Sequence, residues 1–495
     1  MNVKMLLEGY TYRVIHEEEN QPLSGLQYDS RLVRQGELFV AIKGYQVDGH
    51  DYIEKALDNG AVAIVCSDIG KIAQMMEKYS EVQWVFVEDS RNALAYMSSK
   101  FYENPSKKMA LVGITGTNGK TSITQLMSNM LESLEYKTGV IGTIGNKVGE
   151  KFYQTSVTTP ESLNLNQLFA EMLKDDVTAC LMEVSSHSLA LDRVAYLNYN
   201  IGIFTNLTQD HLDFHSDFED YYRAKRELFL MTDTYNLINN DDPYGQRLVA
   251  DMEELGAKAQ TITYGVDVPS DVMAKNVVYS MTGVSYDLSV KGMAMRVHID
   301  MPGKIYVYNT LAAIGAMLLM GAKGQEVIKA VKAIKPVPGR FERVENTAGI
   351  NVIVDYAHAP DALKNVLEIA REFTEGDVIT VFGCGGDRDK TKRPLMGNIA
   401  LATSDYVVVT SDNPRTEVPE KIIEDVVEDY PRTDDYSICV DRREAIGKAI
   451  EKAKPGDTVI IAGKGHETYQ ILGTEKVDFD DRLVAKEFLA LKGDQ

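Results

Sequence analysis

A glycine-rich segment, GTNGKT (116–121), contains the residues whose chemistry is easiest to interpret. It follows an apolar run, ALVGIT (110–115), and precedes a stretch with helical periodicity, SITQLMSNMLESL. A strand, a glycine loop and a helix in this order predict a phosphate-binding loop, because backbone N–H groups and the helix start then face phosphate oxygens. The loop residues expected to bind the nucleotide are Gly116, Thr117, Asn118, Gly119, Lys120 and Thr121.

Within this loop Lys120 is expected to reach the β- and γ-phosphates and the Thr121 hydroxyl to bind Mg²⁺. The usual form of the motif carries a further glycine at position 114, where this chain has Ile114. The prediction therefore depends on the strand–loop–helix context as well as on the letters of the motif.

Composition limits the class of protein. The 495 residues predict two to four domains. The net charge of −21 argues against a nucleic-acid partner. The four cysteines form no CxxC pair, which favours a reducing compartment. The N-terminus does not resemble a secretory signal, and the longest apolar stretch is too short to span a membrane. We expect a cytoplasmic protein with no membrane partner.

The pattern of strands and helices predicts an α/β protein with three domains. Residues 1–107 mix short strands with helices and predict a small N-terminal α/β domain. Residues 108–336 predict a central P-loop domain, with a mostly parallel sheet and, near 259–300, a small antiparallel sheet. Residues 337–495 follow the breaker-rich joint KPVPGRFERV and predict a C-terminal Rossmann-like α/β domain.

Four buried-type strands of the third region end in polar or glycine-rich residues: NVIVDYAH, VITVFGCGG, YVVVTSDNPR and TVIIAGKGHE. Ligands of open parallel sheets bind beyond the carboxyl ends of the strands. We therefore expect these four ends to line one crevice.

The chain resembles the Mur ligase family, whose members also have the sequence GTNGKT in their phosphate loop. The folylpolyglutamate synthases are relatives within that family. The resemblance covers essentially the whole chain, with order and spacing like those of the enzyme that adds the third residue of the peptidoglycan stem peptide. The motifs that carry it are TTPES (158–162), MEVSSHSL (182–189), TNLTQDHLDFH (205–215), YYRAKRELF (221–229), NNDDP (239–243), PGRFERV (338–344), DYAHAPDAL (355–363), FGCGGDRDKTKRP (382–394), SDNPR (411–415) and AGKGHETYQ (462–470).

The resemblance implies an ATP-dependent ligase with an acyl-phosphate intermediate. Glu183 and His211 would bind Mg²⁺ near the phosphates, and Lys225 would carry a carbamate formed with CO₂ that binds a second Mg²⁺. Lys120, His211 and Lys225 would thus be the catalytic residues. Contacts to ATP outside the loop would come from Asn309, Arg340 and Asp355.

The resemblance also implies two further substrates, UDP-N-acetylmuramoyl-L-alanyl-D-glutamate and an amino acid. The residues expected to bind the uridine nucleotide and its muramoyl dipeptide are Ser30, Tyr45, Gln46, Thr158, Thr159, Ser185 and Arg193. The residues expected to bind the amino acid are Arg388, Asp412, Asn413, Pro414, Arg415, Gly463 and Glu467.

Arg415 decides which amino acid we expect. Meso-diaminopimelate differs from lysine by one extra carboxylate, and a guanidinium group binds a carboxylate through two parallel hydrogen bonds. Arg388 would bind a second carboxylate and Glu467 would oppose the distal ammonium. Relatives tend to have an acidic residue near position 418, where this chain has Val418.

Three other functions stay open at this point. The first is a lysine-adding ligase of the same type, which relatives suggest would lack Arg415. The second is a folylpolyglutamate synthase-like ligase, which the YDSR and GELFVAIKG segments of the first region disfavour. The third is a nucleotide-binding regulatory module. It is disfavoured by the joint presence of Lys120, Glu183, His211 and Lys225. We expect a monomer.

Overall fold

The structure, a computed structural model, describes residues 1–16, 22–44, 47–155, 157–208, 210, 214–280, 283–290, 292–430 and 434–493. Within these residues the chain forms successive α/β units, each with its own sheet. The domain boundaries at 107/108 and 336/337 remain predictions.

The first unit is a small sheet covered by helices. Its strands are β1 (Arg13–His16), β2 (Gly25–Gln27), β3 (Glu37–Val40), β4 (Ala63–Cys66) and β5 (Gln83–Phe86). Its helices are α1 (Val3–Leu7), α2 (Ile53–Asp58), α3 (Ile69–Met75) and α4 (Ser90–Phe101). The strand order is β1-β5-β4-β3-β2, and β1 alone among the described strands of this sheet runs antiparallel to its neighbour. The apolar runs expected in this region are therefore strands, as predicted.

The second unit is organised around a long, mostly parallel sheet. Its strands are β6 (Ala110–Thr115), β7 (Thr138–Ile141), β8 (Asn146–Val148), β9 (Lys151–Tyr153), β10 (Ala179–Glu183), β11 (Tyr199–Phe204), β12 (Thr232–Asn239), β13 (Gln260–Gly265), β14 (Val272–Ser280), β15 (Gly283–Val290) and β16 (Met293–Ile299). Its helices are α5 (Lys120–Glu132), α6 (Ser162–Lys174), α7 (Ser186–Ala190), α8 (Phe218–Leu230), α9 (Pro243–Glu254), α10 (Lys304–Leu319) and α11 (Gly324–Val331).

The strand order of this sheet is β16-β15-β14-β13-β12-β11-β6-β10-β7-β8-β9. Strand β6 lies between β11 and β10, parallel to both, so the phosphate loop leaves the carboxyl end of a central strand. The predicted antiparallel strands are β14, β15 and β16, and they continue the parallel sheet through the β13–β14 pairing. The expected α/β fold with its antiparallel part is confirmed.

The third unit contains the four predicted strands. Its strands are β17 (Glu342–Arg343), β18 (Asn351–Asp355), β19 (Val378–Phe382), β20 (Tyr406–Val409), β21 (Tyr436–Ile438) and β22 (Thr458–Ala462), with the hairpin β23 (Tyr469–Leu472) and β24 (Glu475–Asp478) outside the sheet. Its helices are α12 (Pro360–Phe373), α13 (Lys392–Thr403), α14 (Pro419–Val426), α15 (Arg442–Lys452) and α16 (Asp481–Gly493). Strands β18, β22, β19 and β20 are adjacent and parallel, so their carboxyl ends lie at one edge, as predicted.

The parallel strands of this unit are buried because apolar side chains cover both faces, as in VIIA of β22. A buried ion pair lies beneath the edge where the polar strand ends meet. Arg442 donates to both carboxylate oxygens of Asp481 (2.8 and 2.7 Å) and to the carbonyl oxygen of Ala462 (2.9 Å). Both side chains are fully buried. In the described part of the chain no helix has the length and apolar character to cross a membrane.

Removing one partner of this pair should be costly. We expect Asp481→Asn to lower the local stability of the third unit by about 3–5 kcal/mol, because it leaves the Arg442 charge buried and partly unpaired. The matched control is Glu487→Gln, which removes a half-exposed partner of Arg443 on the same two helices and should cost under about 1 kcal/mol. Hydrogen exchange of the β20 and β22 amides measures both effects, and equal protection in the two variants would contradict the prediction.

Candidate functional site

The loop after β6 has the backbone shape needed to surround an anion. Gly116 has φ +144°, and a Cβ atom at this position would lie 1.8 Å from the Thr205 hydroxyl oxygen. The loop is held from behind, since Thr205 donates to the Asn118 carbonyl oxygen (2.6 Å) and Asn118 N–H donates to Asn206 (2.9 Å). The start of α5 at Lys120 then adds its partial positive charge to the loop.

Two lysines meet at one carbonyl oxygen of this loop. The Lys120 and Lys225 ammonium nitrogens each lie 2.8 Å from the Gly116 carbonyl oxygen. Lys225 is only 1% exposed and its Nζ also lies 4.6 Å from the centre of the Tyr221 ring. Burial, followed by the charge of Lys120, holds the pKa of Lys225 well below that of a free lysine. Burial also lowers the pKa of Lys120.

A hydroxyl and a carboxylate lie side by side at the start of α5. Thr121 donates to the Glu183 carboxylate (2.9 Å), and Glu183 also accepts from the Thr143 N–H (2.9 Å) and hydroxyl (3.1 Å). The Glu183 side chain, at the carboxyl end of β10, is 1% exposed. These contacts hold a buried carboxylate against the loop. Among the hydrogen bonds of the described residues, no cationic side chain donates to this carboxylate.

These oxygens fit Mg²⁺, which prefers a small number of carboxylate and hydroxyl ligands beside phosphate. Thr121 and Glu183 would supply the protein ligands. His211, the other expected ligand, lies outside the described residues. No group of three or more His, Cys, Asp or Glu side chains arranged for a metal occurs in the described part of the chain. A site shared with substrate phosphates does not require such a group.

Arg340 connects the third unit to the phosphate loop. Its guanidinium donates to the Thr121 hydroxyl (3.3 Å) and lies 4.8 Å from the centre of the Tyr356 ring, while its carbonyl oxygen accepts from Tyr306 (2.8 Å). Asp355 accepts from the Phe341 N–H (2.6 Å), and burial raises its pKa. The position before Arg340 requires a glycine.

Gly339, at that position, has φ +66°, and a Cβ atom there would lie 2.0 Å from the His466 backbone nitrogen. Asn309 lies against the other side of the phosphate loop: its Oδ1 would be 2.7 Å from a Cβ atom at Gly119. Asn309 and Arg340 thus contact the loop from two different units, while Asp355 lies behind Arg340 and binds the Phe341 N–H.

An aromatic and imidazole cluster lies beside Arg340. The rings of His358 and His466 lie 4.7 and 5.0 Å from the ring of Tyr356. Burial lowers the pKa of each histidine to about 4, so both are neutral near pH 7. This surface between the units therefore carries the Arg340 charge without competing imidazolium charges.

The residues expected to bind the muramoyl dipeptide gather at the end of β10. Thr159 donates to the Glu183 carbonyl oxygen (2.8 Å) and accepts from the Ser185 N–H (3.2 Å). Arg193 donates to the Thr159 carbonyl oxygen (3.2 Å). The Thr158 hydroxyl lies 3.1 Å from that of Thr143, which joins this group to the Glu183 carboxylate.

The first unit supplies the other expected contacts to the uridine nucleotide. Ser30 is buried, and its carbonyl oxygen accepts from Asn59 of the same unit (2.8 Å). This contact lies within the first unit, and among the described residues no hydrogen bond joins Ser30 to the Thr159 group. Tyr45 and Gln46 lie outside the described residues.

The residues expected to bind the amino acid lie on three strand ends of the third unit. Asn413 donates to the Glu467 carboxylate (3.0 Å), and Lys464 donates to both Asn413 (3.0 Å) and Glu467 (2.9 Å). Lys464 is fully buried. Glu467 is therefore partly neutralised by a lysine that we did not predict.

Arg415 lies beside this group, after the buried residues Asp412, Asn413 and Pro414. Its guanidinium donates to the Gly386 carbonyl oxygen (2.8 Å), and burial, followed by the nearby charge of Arg388, lowers its pKa. The α-carbon of Gly463 faces Asp412, whose Oδ2 would lie 2.5 Å from a Cβ atom there.

A chain of contacts joins the phosphate loop to these residues. It runs from Thr121 to Arg340, to Tyr356 and then to His466, the neighbour of Glu467. Glu467 in turn binds Asn413, two residues before Arg415. The predicted nucleotide and amino-acid residues are therefore connected through the carboxyl ends of β18 and β22.

Two cavities, of about 390 and 640 Å³, lie near Lys107 at the joint between the first two units. Their lining residues include Tyr96 and Tyr196 in the first and Asp176 and Asn200 in the second.

Sequence reasoning missed two residues that hold the predicted ones. Thr143 follows a glycine after β7 and has no motif around it. Lys464 lies inside the AGKGHE motif, three residues before Glu467, and its opposite charge is the signal that could have indicated this ion pair.

Comparison with known families places the chain in one group along most of its length. Residues 22–102 match the Mur ligase family, catalytic domain. Residues 114–317 match the Mur ligase middle domain, and residues 339–465 match the Mur ligase, glutamate ligase domain.

Full-length relatives agree with these matches. The chain is 47% identical over 491 residues to UDP-N-acetylmuramoyl-L-alanyl-D-glutamate--2,6-diaminopimelate ligase 1 of Clostridium acetobutylicum, with 99% of each chain covered. It is 45% identical to UDP-N-acetylmuramoyl-L-alanyl-D-glutamate--2,6-diaminopimelate ligase of Clostridioides difficile, with 99% of this chain and 100% of that one covered. A solved structure of a 2,6-diaminopimelate ligase of this description is 31% identical, with a TM-score of 0.70 and 99% of each chain covered.

Thr143 offers a test of the expected Mg²⁺ site. We expect Thr143→Val to weaken Mg²⁺ binding about 10–100-fold, because the Glu183 carboxylate loses the hydroxyl that orients it. Thr143→Ser keeps that hydroxyl and is the control. Titrating Mg²⁺ against the chain with a non-hydrolysable ATP analogue measures the affinity, and an unchanged affinity in Thr143→Val would remove Thr143 from this role.

Proposed function

We propose that this chain, which belongs to the Mur ligase family, adds meso-diaminopimelate to UDP-N-acetylmuramoyl-L-alanyl-D-glutamate with hydrolysis of ATP to ADP and phosphate. The enzyme is an amide-bond-forming ligase of peptidoglycan precursor synthesis, acting as a cytoplasmic monomer. The observation that carries the proposal is the contact path from Thr121 through Arg340 to the residues around Arg415. It is supported by relatives of 43–47% identity that are named for this reaction.

The first step is phosphoryl transfer. A substrate carboxylate attacks the γ-phosphate of ATP, forming an acyl phosphate and releasing ADP. Lys120 and Arg340 balance the charge that spreads over the transferring oxygens, and the loop N–H groups hold the phosphates in position. When bound at Thr121, Glu183 and His211, Mg²⁺ would supply further charge neutralisation of these oxygens.

The second step is attack by the amine. The amino group of diaminopimelate adds to the activated carbonyl, and the tetrahedral intermediate releases phosphate. Arg415 and Arg388 hold carboxylates of the amino acid, and Glu467 faces its distal ammonium. Thr158, Thr159, Ser185 and Arg193 hold the dipeptide so that its carboxylate faces the phosphate loop. Ser30, Tyr45 and Gln46 hold the uridine nucleotide at the other end of the substrate.

Lys225 is proposed to carry a carbamate that binds a second Mg²⁺. Carbamate formation needs a neutral amine, and burial beside Lys120 lowers the pKa of Lys225 in the required direction. The product is an anion between cations, which relieves the crowding of two ammonium groups at the Gly116 carbonyl oxygen.

Two alternative functions are each disfavoured by one observation. A lysine-adding ligase needs only one of the guanidinium groups at 388 and 415, because lysine lacks the distal carboxylate. A folylpolyglutamate synthase-like ligase has support only at the level of fold, from a solved structure of 17% identity. We therefore retain the diaminopimelate ligase.

The substrate assignment predicts a selective effect of Arg415→Ala. We expect kcat/KM for diaminopimelate to fall about 30–1000-fold, which corresponds to losing about 2–4 kcal/mol from a charged, bidentate contact. The value for lysine should change little. Phosphate release with UDP-muramoyl dipeptide measures both, and a variant that still prefers diaminopimelate would show that Arg415 does not read the second carboxylate.

The carbamate predicts a spectroscopic signal. With ¹³C-bicarbonate, the wild-type chain should show a carbamate carbonyl resonance by ¹³C NMR that Lys225→Arg lacks, because the guanidinium group does not form this adduct under these conditions. Lys137→Arg, at a half-exposed lysine paired with Asp175, is the control and should keep the signal. A signal that persists in Lys225→Arg would assign the carbamate elsewhere.

A further inference from the structure

Two loops of the third unit hold the proposed guanidinium pair, and both contain a strained residue. Asp387, next to Arg388, has φ +53°, and Arg415 itself has φ +52°. Non-glycine residues adopt this left-handed region at an energetic cost, so surrounding contacts must hold them there. The two arginines also repel each other, and Arg388 contributes to the lowered pKa of Arg415.

Glu417 holds both loops from behind. One carboxylate oxygen accepts from the Asp387 N–H (2.6 Å) and from Arg393 (2.8 Å). The other accepts from Arg393 (3.1 Å) and lies 3.1 Å from the Lys390 ammonium. A single side chain thus joins the 385–390 loop to the segment that carries Arg415.

Arg393 supports this carboxylate from inside the protein. It is fully buried, and besides Glu417 it donates to Asp425 (2.7 Å) on α14 and, at 3.4 Å, to the Gly385 carbonyl oxygen. The hydrogen bonds from Arg393 are the leading cause that lowers the pKa of Glu417 to about 2. Glu417 therefore stays ionised and bound over the whole physiological range.

Reciprocal contacts close the arrangement. The Asp387 carboxylate accepts from the N–H (3.2 Å) and the hydroxyl (2.8 Å) of Thr416, the residue between Arg415 and Glu417. The Gly386 N–H donates to the Asn413 carbonyl oxygen (2.9 Å). Each loop therefore both donates to and accepts from the other beside the two strained residues.

We propose that Glu417, supported by Arg393, is a positioning residue that fixes Arg388 and Arg415 as a preformed fork for the carboxylates of the incoming amino acid. This inference rests on the proposed function and deepens it by naming what sets the selectivity of the amino-acid site. Glu417 acts through the arginines and does not contact the substrate. The acidic residue expected near position 418 thus has a counterpart one position earlier, facing the loops, while Val418 is exposed.

The test compares two variants that each remove one carboxylate partner of Arg393. Glu417→Gln weakens the contacts to the 385–390 loop, whereas Asp425→Asn leaves that loop untouched because Asp425 binds it only through Arg393. We expect Glu417→Gln to raise the KM for diaminopimelate about 10-fold or more. The KM values for ATP and UDP-muramoyl dipeptide should stay constant, kcat should change less than about 3-fold, and the preference for diaminopimelate over lysine should fall.

Asp425→Asn should leave the KM for diaminopimelate and the preference unchanged. A third variant, Thr416→Val, removes an exposed hydroxyl that binds Asp387 and should raise the KM for diaminopimelate by about 3-fold without affecting folding. An unchanged KM in Glu417→Gln, an equal rise in Asp425→Asn, or a joint change in all three KM values would overturn the positioning role.

Failure of the proposed function would appear separately, as wild-type chain that releases no phosphate with diaminopimelate. The positioning role is then decided by hydrogen exchange. Glu417→Gln, but not Asp425→Asn, should speed exchange of the Asp387 and Thr416 amides. Equal exchange in both variants would overturn it whatever the substrate.

Discussion

Two lysine side chains that converge on one carbonyl oxygen set the main physical constraint in this molecule. Lys120 and Lys225 both donate to the Gly116 carbonyl oxygen, and Lys225 is almost completely buried. Two ammonium groups so close together and so far from water are unfavourable unless an anion joins them or one of them loses its proton. In the proposed function, nucleotide phosphate would supply such an anion for Lys120, and a carbamate would convert Lys225 itself into one.

Like charges that lie close together must also be compensated in the third unit. The charges of Arg388 and Arg415 repel each other, and the Glu417 and Asp387 carboxylates bind the backbone of the loops that carry these arginines. Arg340 provides the physical link between the two regions, since it contacts both Thr121 and Tyr356. In the proposed function, an acyl phosphate formed at the loop would then meet its amine without diffusing through water.

Much of this arrangement could be predicted from the sequence because the strong signals are local. The loop GTNGKT has its own strand and helix, and the four apolar runs of the third region became neighbouring parallel strands. Contacts between distant segments gave no such signal. Thr143, which follows β7, binds Glu183 at the end of the neighbouring strand β10. Glu417 binds the Asp387 N–H of a separate loop. Lys464 was within a recognised motif, but its burial and its partner depend on how the end of β22 lies relative to the end of β20, with β19 between them.

A crystal structure of the chain with ADP and the tripeptide product tests the central claim most directly. The prediction is that the newly formed amide bond lies between Lys120 and Arg415, with the distal carboxylate of the added residue bound by two of the guanidinium nitrogens of Arg415. A product whose tripeptide end lies on a different face from the ADP phosphates, or makes no contact with Arg415, would contradict a shared site for acyl activation and amine attack.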